Sequence, residues 1–121
     1  EINLMAGYLT THVLDTARGC PAEGLEIELF RIVDNKSELL RKVVTNADGR
    51  TNEQILNVSE FQIGEYELVF YCGEYISQYN NVSDGIQFLN IVPLRFGMSE
   101  DVHYHVPLLL SPFGYSTYRG S

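Results

Sequence analysis

Residues 25–32 read Leu-Glu-Ile-Glu-Leu-Phe-Arg-Ile, apolar and charged side chains taking turns for most of the stretch. Successive side chains of a strand face opposite ways, so Leu25, Ile27 and Leu29 share one face and Glu26 and Glu28 the other. The same period returns in residues 65–72, where Tyr66, Leu68, Phe70 and Cys72 oppose Glu65, Glu67 and Val69. Both read as half-buried strands. Alternation outweighs helical periodicity along most of the chain and predicts further strands over residues 9–15, 39–46, 88–96, 103–110 and 115–119.

The punctuation between these runs fits strands. Residues 39–46 close on Asn46-Ala47-Asp48-Gly49, whose Asp-Gly pair supplies the positive φ of a tight turn. Ser111-Pro112-Phe113-Gly114 is expected to fold the last two strands into a hairpin. Pro93 and Pro107 lack a ladder donor, which implies an edge or a bulge at each. One segment departs from the period: Tyr75, Ile76 and Tyr79 recur at helical spacing, so a short helix is expected over residues 73–80. The sum is an all-β fold, an antiparallel β-sandwich of seven to eight strands with one short helix, as one domain over residues 1–121.

A chain of 121 residues can bury roughly two-thirds of its unfolded surface, so it needs neither disulfide nor structural metal to fold. Eight Tyr and six Phe with no Trp suit a β-rich core. Eight Lys and Arg against sixteen Asp and Glu leave a net charge of −8, which excludes nucleic acid as a partner in the absence of any basic run. An anionic small molecule stays compatible, because a local cation cluster overrides the net field at short range. No apolar run is long enough to cross a membrane, and the first nine residues are too short and too poor in basic residues for a signal peptide. With no peroxisomal tripeptide at residues 119–121, a cytoplasmic location is expected. Cys20 and Cys72 form neither a redox pair nor a metal clip and read as free thiols. The sequons at Asn35, Asn57 and Asn81 read as coincidence.

Chemistry concentrates on few residues. The three histidines are His12, on a face with Thr10 and Leu14, and the pair His103 and His105, which project to one side of a strand. Three readings stay open on spacing: a zinc site with three imidazoles and an open position, a metal-free acid and base, or histidines with no role. Arg50 follows a turn, and Arg119 lies in the terminal Tyr118-Arg119-Gly120-Ser121; an arginine fork can grip a carboxylate or an oxyanion. Ser121 lacks the nucleophile elbow of an acyl-serine hydrolase.

The stretches LTTHVLDTARGCPA, TNADGR and HYHVPLLLSPFGYSTYRGS resemble the 5-hydroxyisourate hydrolases, transthyretin-like enzymes of urate breakdown. The resemblance runs from about Gly7 to Ser121, and the terminal Y-R-G-S is what separates these enzymes from the hormone carrier transthyretin. It implies a two-sheet sandwich, a homotetramer built as a dimer of dimers, and active sites opening onto the channel between dimers. Position by position, it makes His12, Arg50, His105 and Ser121 catalytic and Tyr118, Arg119 and Gly120 substrate-binding. The implied reaction opens 5-hydroxyisourate to 2-oxo-4-hydroxy-4-carboxy-5-ureidoimidazoline, with no metal and no cofactor. His105, with Ser121, would activate water, His12 would donate a proton or serve as a second base, and Arg50 would stabilise the developing charge. Phe113 departs from the Tyr common before GYST, away from the chemistry. The alternatives are a carrier of a small aromatic ligand and a three-histidine metallohydrolase.

Overall fold

The structure, a computed structural model, describes residues 6–80 and 85–120. Among these residues, eight strands and one helix follow in the order β1 (Tyr8–Asp15), β2 (Cys20–Pro21), β3 (Glu26–Val33), β4 (Lys36–Val44), β5 (Gly64–Tyr71), α1 (Cys72–Tyr79), β6 (Ile91–Met98), β7 (His103–Ser111) and β8 (Gly114–Thr117). They form two four-stranded sheets, ordered β2-β1-β7-β8 and β4-β3-β5-β6. The core lies between them and collects the alternate sets: Leu25, Ile27 and Leu29 face Leu9, Val13, Val106 and Leu108 alongside Tyr66, Leu68, Phe70 and Cys72, all buried. Burying a side chain such as Leu68 or Phe70 stabilises the fold by about 1.5–3 kcal/mol. Both cysteines are free, and burial pushes the Cys72 thiol up to about 12.

Five of the six strand pairings are antiparallel, and β1 with β7 is parallel. Several boundaries differ from the sequence expectation, each for a physical reason. Strand β4 begins at Lys36 rather than Leu39 because Asp34 and Asn35 both take positive φ, 52° and 62°, and close a two-residue hairpin with Val33 opposite Lys36. Helix α1 starts at Cys72, directly after β5, because the Asn90 carbonyl accepts from the Cys72 and Gly73 amides at 2.8 and 3.0 Å. Asn90 packs so closely that a Cβ on Gly73 would lie 2.2 Å from its Oδ1. That loop keeps residues 88–90 out of β6, and Phe88 is exposed. At the other end of the helix, the buried Asp15 carboxylate accepts from the Tyr75 hydroxyl at 2.7 Å and from the Asn80 amide at 3.1 Å, tying α1 to β1.

The two prolines part company. Pro93 sits on the edge strand β6, as expected, whereas Pro107 lies in β7, inside its sheet and buried. Around it, Val106 and Leu110 turn their carbonyls toward β1, while His105 and Pro107 accept from the β8 side. Pro107 therefore withholds a donor only from β8, and the β7–β8 ladder stops at Leu108 and Thr117. The Thr117 hydroxyl bonds the Pro107 carbonyl instead, at 2.7 Å.

Candidate active site

The parallel register of β1 and β7 sets Tyr8 beside His103, Thr10 beside His105 and His12 beside Pro107. Leu9, Thr11 and Val13 take the core side, so Thr10 and His12 look outward with His103 and His105. The His12 and His105 rings lie 6.4 Å apart and those of His103 and His105 6.3 Å apart. Tyr8 stacks on His103 at 4.1 Å and 6°. Between the H-x-H pair, Thr10 Oγ1 stands 2.7 Å from His103 Nε2 and 2.8 Å from His105 Nδ1. Among the described residues, no three His, Cys, Asp or Glu side chains converge as a metal-binding set.

Arg50 reaches this face through a wound loop. Asn46 Oδ1 accepts from the Asp48 and Arg50 amides, and Asn46 and Arg50 share a further main-chain bond of 2.8 Å. Gly49, at φ 71°, brings its carbonyl to the Val13 amide at 2.8 Å; a Cβ there would strike the Val13 carbonyl oxygen at 2.4 Å. Only glycine satisfies both demands. The loop docks on β1 and forms an isolated bridge between Arg50 and His12.

Burial lowers the pKa of all three histidines. For His12 the Arg50 charge adds to burial, while Asp48 opposes it through a backbone hydrogen bond and its charge. For His105, burial is followed by Arg50, His103 and His12, all acting to lower it. The cluster is thus built to hold neutral imidazoles at neutral pH, the state that accepts a proton.

The chain's last described residues return to this face. Gly120 donates to the His105 carbonyl at 2.6 Å. Gly120 opposite His105 continues the register of Thr117 opposite Leu108, each three residues on, so the tail prolongs β8 beyond the gap at Pro107. A Cβ at Gly120 would lie 2.8 Å from His105 Cδ2, which makes glycine the residue that fits against this ring. The same register sends Arg119 to the core side, where its guanidinium carbon lies 4.4 Å over the Tyr104 ring. Tyr118 is exposed. With Arg119 it lines a cavity of about 440 Å³ between the tail and β6, bounded by Leu94, Phe96, Tyr104 and Val106.

The structure therefore gathers His12, Arg50, His105 and Gly120, turns the exposed Arg119 over the Tyr104 ring beside a cavity it lines with His103 and Gly120, and leaves Tyr118 at the rim. Ser121, expected to be catalytic, lies outside the described residues, as does the sequon at Asn81. Thr10 and Tyr8 join the cluster without having been singled out as site residues. The shared face of Thr10 and His12 is readable in sequence, but the parallel pairing that brings Thr10 to the H-x-H pair is not.

Residues 9–120 match the HIUase/Transthyretin family. A 5-hydroxyisourate hydrolase of Mesorhizobium japonicum is 56% identical over 115 residues, covering 95% of this chain and 93% of that one. The crystal structure of an (S)-allantoin synthase superposes with a TM-score of 0.88 at 46% identity over 99% of this chain, which spans 46% of that longer one. The structure of the 5-hydroxyisourate hydrolase of Klebsiella pneumoniae matches with a TM-score of 0.76 at 35% identity, over 95% of this chain and 99% of that one. By the matched length, the shared fold and the identity to these enzymes, the chain belongs to the HIUase/Transthyretin family.

Proposed function

We infer that the chain hydrolyses 5-hydroxyisourate to 2-oxo-4-hydroxy-4-carboxy-5-ureidoimidazoline, residues 1–121 serving as one hydrolase domain. The observation that carries this reading is the convergence of neutral His12 and His105 with the Arg50 cation on one outer face, backed by Gly120. A carrier of an aromatic ligand has no need of such a set. High identity to curated 5-hydroxyisourate hydrolases supports the enzyme over the carrier.

His105 takes a proton from water as the water oxygen bonds to a carbonyl carbon of the six-membered ring. Arg50 stabilises the oxyanion that forms. Collapse breaks the carbon–nitrogen bond, and the proton that His105 took from water passes to the departing nitrogen through His12, which accepts a proton on one ring nitrogen as it releases one from the other, so both rings end neutral. One water is consumed, and the six-membered ring opens. Ser121 supplies a hydroxyl to the attacking water, while Tyr118 and Gly120 border the substrate. Arg119, assigned to substrate binding by resemblance, also anchors the tail through the Tyr104 ring. The reading calls for no metal or cofactor, so dialysis against a chelator should leave turnover unchanged, and activity that vanished and returned with zinc would favour a metallohydrolase.

The face is open in a single chain, and a dimer of dimers would close it into a channel. Light scattering should then report four times the 13.7 kDa chain mass. No described helix is long and apolar enough to cross a membrane. The two free cysteines support a reducing compartment, in keeping with the cytoplasm. The deciding experiment is ultraviolet monitoring of freshly made 5-hydroxyisourate: decay faster than the spontaneous rate supports the reading, and decay at the spontaneous rate refutes it.

A further inference from the structure

Thr10 stands between two rings with a single proton to give. A hydroxyl has one O–H and two lone pairs, so it can accept from both histidines but donate to only one. Two neutral rings cannot both turn a bare nitrogen toward it without leaving one unpaired. The proton positions on His103 Nε2, Thr10 Oγ1 and His105 Nδ1 are therefore linked across contacts of 2.7 and 2.8 Å.

Each member is held in place. Thr10 is fixed opposite His105 by the parallel ladder. The Tyr8 stack at 4.1 Å and 6° orients the His103 ring so that Nε2 meets Thr10. Gly120 packs against the Cδ2 edge of His105, where even a Cβ would lie 2.8 Å away, and the opposite edge presents Nδ1 to Thr10. With Nδ1 committed to Thr10, His105 Nε2 is the nitrogen left for chemistry, and it makes no hydrogen bond among the described residues.

We propose that Thr10 and His103 are positioning residues that fix the tautomer of His105. The Thr10 hydroxyl donates to His103 Nε2 and accepts from His105 Nδ1–H, which leaves a lone pair on His105 Nε2. The opposite orientation, with Thr10 donating to His105 Nδ1, would put a proton on Nε2 and make that atom unable to accept one from water. When Nε2 takes the proton of the attacking water, the imidazolium keeps its Nδ1–H on an oxygen whose own proton already points away. The negative end of that dipole thus faces the new positive charge. His103 acts at one remove, by supplying the acceptor that turns the Thr10 proton aside. The inference deepens the hydrolase reading and rests on it.

Nitrogen-15 correlation spectra of the histidine rings above pH 7 test it without any substrate. In the unaltered protein His105 should carry its proton on Nδ1. Thr10→Val keeps shape and β-branching but removes the hydroxyl; His105 should shift toward the Nε2–H form that a free histidine side chain favours, and kcat should fall roughly tenfold at constant KM, a part of the 10²–10⁴ a positioned base contributes. Thr10→Ser should restore the tautomer and kcat to within about threefold. His103→Phe keeps an aromatic ring for the Tyr8 stack without an acceptor and should reproduce Thr10→Val. Unaltered protein with His105 protonated on Nε2 would overturn the inference, as would Thr10→Val with an unchanged tautomer and kcat. If unaltered protein left 5-hydroxyisourate untouched, the hydrolase reading would fall, and the proposed catalytic role of Thr10 with it. If His105→Asn abolished turnover while Thr10→Val did not lower it, the inference alone would fall.

Discussion

The outer faces of the two sheets are built from similar strands and put to different use. On the outer face of the second sheet, Lys42 pairs with Glu26 and Arg95 with Glu67 at 3.5 and 3.1 Å, while Arg31, opposite Tyr66 and over its ring, reaches Glu38 from the inner margin. Arg41 meets Glu60 at the margin, and Tyr71 donates to Glu28. All four ion pairs among the described residues belong to this sheet. The first sheet's outer face carries instead three histidines, a threonine bridging two of them, and one guanidinium. Charges already paired in water have little left to offer a substrate, and they contribute little to stability. Neutral imidazoles beside a cation that forms no ion pair among the described residues remain available for proton transfer. One face is occupied by charges that satisfy one another, and the other is where chemistry can occur.

The strongest test of that contrast removes the proposed base. His105→Asn should lower turnover on 5-hydroxyisourate by roughly 10² or more with little change in thermal midpoint. A loss under threefold would erase the distinction between the faces. Next in size is Gly120→Ala, whose new Cβ presses on the His105 ring at 2.8 Å. A displaced ring should cost roughly tenfold or more in kcat, measured against Gly97→Ala on the other sheet, where a Cβ meets nothing within 4 Å.

Acid sharpens the comparison further. Burial and Arg50 hold His12 and His105 below the ordinary 6.5, so turnover should be maintained at pH 6.5 and fall only below it, as a protonated His105 ceases to be a base. Stability follows the same sign. The unfolded chain takes up these protons near 6.5 and the folded chain only at lower pH, so their contribution is fully present above 6.5 and declines as the pH falls. Chemical unfolding of His12→Asn and His105→Asn against pH should show a flatter profile in that window. The smallest effect is expected from Glu67→Gln, which cuts a half-exposed pair with Arg95: within about 0.5 kcal/mol in stability and no change in turnover.

Much of this was legible in the sequence, and what was not has a common cause. Leu25, Ile27, Tyr66, Leu68 and Phe70 reveal their shared face through alternation, because the pleat acts on neighbours in the chain. Pro93 at an edge and the Ser111–Gly114 turn follow from local chemistry as well. Which strand lies beside which is a different matter. Nothing in residues 8–15 announces a parallel partner in residues 103–110, so the central placement of Pro107 and the meeting of Thr10 with the H-x-H pair were hidden. Arg119 shows both sides: alternation from Thr117 puts it on the core side, but only once Thr117 is known to face Leu108. The start of β4 is a simpler miss, since Asp34-Asn35 carried the turn signal.

The pairing of β1 with β7 also sets when the cluster can exist. Thr10 and His105 are 95 residues apart. On a ribosome adding roughly 5–20 residues per second, β1 therefore emerges about 5–20 s before the strand it pairs with. For that interval its hydrogen-bonding edge on the β7 side has no partner of its own, and strand edges left open in nascent chains are where aggregation begins. The second sheet has no such wait, because β3, β4, β5 and β6 pair with one another over shorter separations and can fold as they appear. The face that carries the candidate site can thus be completed only when β7 emerges, after every strand of the second sheet.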